Sequence, residues 1–78
     1  MQKIENGVYK TSDMYLAAFL MYRGWFVRLE REEKLCFFTF MDDPGMQEDI
    51  TDYFNNGEVG ALRFKGLVRD LKTMVFNT

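Results

Sequence analysis

Between Met14 and Tyr22 the chain carries no charge, whereas charged residues recur along the rest of it. Ser12 and Asp13 precede this stretch, and their short side-chain oxygens suit the start of a helix. Gly24 follows it and suits the stop, because glycine enters the left-handed cap conformation without a Cβ clash. On a helical wheel Leu16, Phe19 and Leu20 share one side and Met14, Ala17 and Met21 the next, with Tyr15, Ala18 and Tyr22 on the remainder. A helix apolar all round is either buried or membrane-spanning, and nine residues are too few to cross a bilayer. The pattern predicts a buried central helix with its tyrosine edge at the surface.

After Gly24 the period falls to two. The run WFVRLEREEKLCFFTFM predicts two strands around a charged turn at Arg31 to Lys34. Pairing symmetric about Glu32-Glu33 sets Leu29 opposite Cys36, Val27 opposite Phe38 and Trp25 opposite Phe40, all on one face. Phe26, Leu35 and Phe37 then share the other face with Arg28, Glu30 and Thr39. Asp43 can cap a second helix and Pro44 suits its first position. Met46, Ile50, Tyr53 and Phe54 form its apolar stripe, and Asn55-Asn56-Gly57 ends it. A last helix runs from near Gly60 to about Phe76, with Ala61, Phe64, Leu67, Val68, Leu71, Met74 and Val75 on one arc. Gly66 lies outside that arc and should cost ~0.5–1 kcal/mol relative to alanine unless another backbone approaches it.

Residues 1–10 are polar with isolated apolar positions. Asn6-Gly7 could turn a short hairpin with arms Lys3–Glu5 and Val8–Lys10, but a frayed terminal arm is the preferred expectation. The predicted organisation is therefore an N-terminal arm, 1–10, and one small α+β domain, 11–78. That domain is an antiparallel β-hairpin, with room for a third short strand, packed with three helices in the order α-β-β-α-α.

Composition narrows the function. Seventy-eight residues allow one domain, and eight Phe, four Tyr, one Trp and six Met can fill a dense core. A net charge of −2 gives no general attraction for nucleic acid or anionic lipid. One cysteine forms no internal disulfide and residues 1–10 lack a signal-like apolar run, so a cytoplasmic location is expected, without a membrane segment.

The string Tyr9-Lys10-Thr11-Ser12-Asp13-Met14-Tyr15-Leu16-Ala17-Ala18-Phe19-Leu20, with Gly24 after it, resembles the TSD-(L/M)-Y-LAA-(Y/F)-L motif of a family of small bacterial and phage proteins known as a domain of unknown function, DUF5659. Phe38-Thr39-Phe40-Met41-Asp42, Tyr53-Phe54-Asn55 and the closing segment Ala61 to Phe76 extend the resemblance over nearly all the chain after Tyr9. Val68-Arg69-Asp70-Leu71-Lys72 departs slightly from the family's Leu-Arg-x-Leu-Lys form. The resemblance implies an α+β domain in a phage or mobile-element setting, and brings no activity, cofactor or catalytic residue.

Catalysis is not expected from these side chains. The chain has no histidine to activate its single serine, Ser12, which suits a helix cap. Cys36 falls on the apolar hairpin face, where a thiol behaves as a small hydrophobe. No cofactor motif or thiolate–imidazole metal set is present. Asp42, Asp43, Glu48, Asp49, Asp52 and Glu58 fit no calcium loop, and a solvated acidic face is preferred to a metal site. The expected function is that of a small non-enzymatic protein-interaction module, binding a protein partner or a second copy through Phe26, Leu35 and Phe37. An inhibitor of a host protein is one such case. The alternative is a nucleic-acid-associated accessory protein using Lys65, Arg69 and Lys72, a stripe at i, i+4 and i+7.

Overall fold

The computed structural model describes the backbone of residues 2–5 and both backbone and side chains of residues 7–77. Along the chain come β1 (Gln2–Glu5), β2 (Val8–Thr11), α1 (Met14–Tyr22), β3 (Arg28–Glu32), β4 (Leu35–Met41), α2 (Pro44–Phe54) and α3 (Ala61–Phe76). The class is α+β, with three helices on an antiparallel sheet ordered β1-β2-β4-β3.

The amino-terminal segment departs from the frayed arm. It folds as a hairpin, so the element order is β-β-α-β-β-α-α and not α-β-β-α-α. Gly7 takes φ +75° in the turn, a conformation that favours glycine; Asn6 lies outside the described residues. β2 pairs with β4 from Val8 opposite Met41 to Thr11 opposite Phe38. Tyr9 and Thr11 are thereby buried, and this burial holds the hairpin in place.

The second hairpin pairs in a different register. Leu29 faces Phe38, Arg31 faces Cys36 and Glu32 faces Leu35, around a two-residue turn in which Glu33 adopts φ +55°. Relative to the symmetric pairing about Glu32-Glu33, each partner is offset by two residues. An even offset leaves every side chain on its expected face. It also leaves Trp25 outside the ladder, where its indole N–H donates to Asp49 Oδ2 at 2.7 Å. Cys36, expected in the core, is half-buried near the turn.

All of Leu16 to Leu20 is buried, as a helix apolar all round requires. The core joins Tyr9, Val27, Phe38 and Phe40 of the sheet side to Leu16, Ala17, Ala18 and Leu20 of α1, Met46 and Ile50 of α2, and Val68 and Leu71 of α3. Asp13, and not Ser12, caps α1: its Oδ1 accepts from the N–H groups of Tyr15 (3.0 Å) and Leu16 (3.1 Å). Thr11 Oγ1 accepts in turn from the Asp13 N–H.

Both α1 and α2 end in a paired 6→1 and 5→2 closure. Trp25 N–H bonds Leu20 O and Gly24 N–H bonds Met21 O, with Gly24 at φ +95°. At the end of α2, Gly57 N–H bonds Asp52 O and Asn56 N–H bonds Tyr53 O, with Asn56 at φ +62° as the left-handed residue. Gly57 is required for another reason. A Cβ there would stand 2.9 Å from Phe19 Cζ and 3.0 Å from Asp52 O.

Candidate binding groove

The outward hairpin face does not present Phe26, Leu35 and Phe37 together. Phe26 and Leu35 are exposed, but Phe37 is 8% exposed. Lys10 reaches over the Phe37 ring, its Nζ 5.1 Å from the ring centroid, and pairs with Glu30 (3.3 Å) and Glu32 on the far strand. The lysine stem covers the ring while the ammonium finds carboxylates, which removes Phe37 from the accessible surface. Leu35 is left near the turn, and Phe26 keeps company with exposed Met41 and half-buried Val8 around a depression of about 330 Å³.

The acidic segment is engaged internally. Arg23 Nη1 donates to Asp49 Oδ1 (2.5 Å) and Asp52 Oδ2 (3.1 Å), with its guanidinium over the Phe19 ring at 4.6 Å. Asp49 also accepts from Trp25, Asp43 caps α2 through the Gly45 N–H, and Asp42 accepts from Gln47. The bonds from Arg23 and Trp25 tie α2 to the end of α1. Among the described residues no group of three or more His, Cys, Asp or Glu could hold a metal ion.

The basic stripe is placed differently. Tyr22 Oη accepts from the Gly60 N–H at 2.9 Å, and Arg63 stacks on the Tyr22 ring, fixing the start of α3 against the end of α1. From there α3 passes back alongside α1 towards Tyr15. A groove of about 660 Å³ opens between them, lined by Tyr15, Leu62, Phe64, Gly66 and Val68 together with Lys65, Arg69 and Lys72. Val68 is buried and Phe64 half-buried, whereas Tyr15 is 54% and Leu62 86% exposed. Among the described residues none of the three cations makes an ion pair.

The structure thus brings Lys65, Arg69 and Lys72 together and adds apolar groups that the sequence pattern left aside. A signal for them exists. At 100° per residue Leu62, Lys65, Gly66 and Arg69 fall within an arc of about 100° on the side of α3 turned from its core stripe. Leu62 and Gly66 are apolar exceptions among the cations at the start and middle of that face, as Phe76 is at its end. Tyr15 carried the same hint as the exposed edge of an apolar helix.

No helix among the described residues is long and apolar enough to cross a membrane. No curated protein and no solved structure matches the chain. A family model does match, over residues 6–77, and so takes in β2, all three helices and the second hairpin. The chain belongs to the family described as Domain of unknown function (DUF5659).

Proposed function

We propose that this domain is a non-enzymatic protein-interaction module that acts by stoichiometric binding, with the groove between α1 and α3 as its contact surface. One observation carries the reading. Leu62 and Tyr15 stand exposed beside the apolar floor of Phe64 and Val68, in an opening large enough for side chains of another protein. The chain also lacks histidine, the usual base for activating a serine or cysteine nucleophile. A small cytoplasmic, phage- or mobile-element-encoded inhibitor of a host protein is the specific form in which such a module would work.

The test is capture on immobilised domain, wild type against Leu62→Gln, with nuclease present. Leu62 is 86% exposed, so the substitution should leave the melting temperature unchanged. Partners held by wild type should be lost on the variant. Equal capture by both proteins, or none by either, would refute the groove as the contact surface. The alternative, binding of nucleic acid by Lys65, Arg69 and Lys72, is supported by the absence of an ion pair to any of them among the described residues; it requires binding that weakens steeply with salt.

A further inference from the structure

From the surroundings of Gly66 we infer that the groove takes an acidic segment of a partner protein whose backbone lies close against α3 at that glycine; this rests on the protein-binding role proposed above. Gly66 stands inside α3, where glycine is unfavourable compared with alanine. Nothing among the described residues requires its lack of a side chain. A Cβ built there would meet only Arg69 Nη2, at 4.0 Å, and Gly66 has no positive φ. Gly57 shows the contrasting case, since its missing Cβ is filled by Phe19. The space at Gly66 is therefore open to a visitor, and a bulky side chain placed there would occupy it. It sits among the groove-lining residues, between Leu62 and Arg69 along the helix.

Charge selects the occupant. Lys65, Arg69 and Lys72 frame the apolar lining, and the carboxylates of Asp49 and Asp52 are taken by Arg23 on another part of the molecule. A segment carrying carboxylates on its edges and apolar side chains towards Leu62, Phe64 and Val68 would satisfy both features, the arrangement used when an amphipathic peptide lies in a groove. Protein is favoured over nucleic acid because the apolar part of the lining is Leu62, Val68 and the half-buried Phe64, which leaves Tyr15 as the exposed ring on which a base could stack, and the chain's net charge is −2.

Selection of a displayed random-peptide library on the immobilised domain tests this, followed by anisotropy measurements with the enriched peptides. Enriched sequences should be net acidic with apolar positions. Gly66→Leu should weaken them by about tenfold or more, as should joint replacement of Lys65, Arg69 and Lys72 by Gln. Gly66→Ala should raise the melting temperature yet also weaken binding, which separates a contact role from a folding role. Enriched peptides that are neutral or basic, or that ignore both Gly66 substitutions while depending on Leu62, would overturn the acidic, close-packed segment and leave the groove's protein-binding role standing. No enrichment, with salt-sensitive binding of an oligothymidine or duplex instead, would overturn both.

Discussion

Replacing Gly57 by alanine should destabilise the domain, although its φ does not demand glycine. The added Cβ would lie 2.9 Å from Phe19 Cζ, 3.2 Å from Phe19 Cε1 and 3.0 Å from Asp52 O. Two of those contacts are with a ring, and a mobile ring could swing away at little cost. This one is 2% exposed, packed at 5.4 Å against Tyr53 and under the Arg23 guanidinium. The third is a backbone carbonyl already bonded to the Gly57 N–H at 2.7 Å. Overpacking of this kind costs ~1–3 kcal/mol, offset by ~0.4–1 kcal/mol from the restricted unfolded chain. The net loss should be ~1–2 kcal/mol, and for a domain of this size each kcal/mol moves Tm by about 4–8 °C. Gly66→Ala supplies an internal control of opposite sign, since its Cβ meets nothing closer than Arg69 Nη2 at 4.0 Å and helix propensity favours alanine by ~0.5–1 kcal/mol. Thermal and urea melts followed by circular dichroism would read both. A Gly57→Ala protein as stable as wild type would show that the Phe19 ring yields freely, and the packing argument at the end of α2 would fall.

Leu16→Ala, at a side chain with no exposed surface, should cost ~2–5 kcal/mol in a urea melt. Phe37→Glu should destabilise the isolated domain rather than merely alter its association, because it would put a carboxylate beneath Lys10 in a site 8% exposed and beside Glu30; a near-native melt would place the ring outside. Hydrogen bonding to Glu32 raises the Lys10 pKa above the ordinary 10.5. Its contribution to stability should be whole below that ordinary value and fade as pH rises through the raised one, an alkaline loss that Lys10→Gln should abolish in melts taken across that range. Cys36, half-buried and free, should react with a thiol reagent in the native state faster than a core cysteine would; resistance until unfolding would place it deeper.

The features legible in the sequence are those that rest on local chemistry. Asp13, Gly24, Asp43 and Asn56 mark helix ends because capping needs only a short oxygen or a tolerated left-handed φ within a few residues. The facial alternation of the second hairpin was equally legible, whereas its register was not: a two-residue offset keeps Leu29 and Phe38 inward and Phe37 outward, so hydrophobic pattern cannot distinguish the two. The fate of Phe37 depended on Lys10, which precedes it by 27 residues and reaches it only because β2 lies beside β4. The groove was half visible. Its cations formed a stripe at helical spacing, but Tyr15 comes from α1 and could be joined to them only once α3 was packed back along that helix.

That packing has a consequence for how the chain is made. The uncharged circumference of α1 is covered on different sides by the sheet, by α2 and by α3, and Val68 and Leu71 belong to the last of these to emerge during synthesis. Until residues beyond 71 have left the ribosome, one flank of the most apolar segment stays wet. A truncated chain that stops before α3 should therefore be a sticky intermediate rather than a smaller stable domain. The nascent protein has its greatest need of a chaperone, or of rapid completion, in that interval.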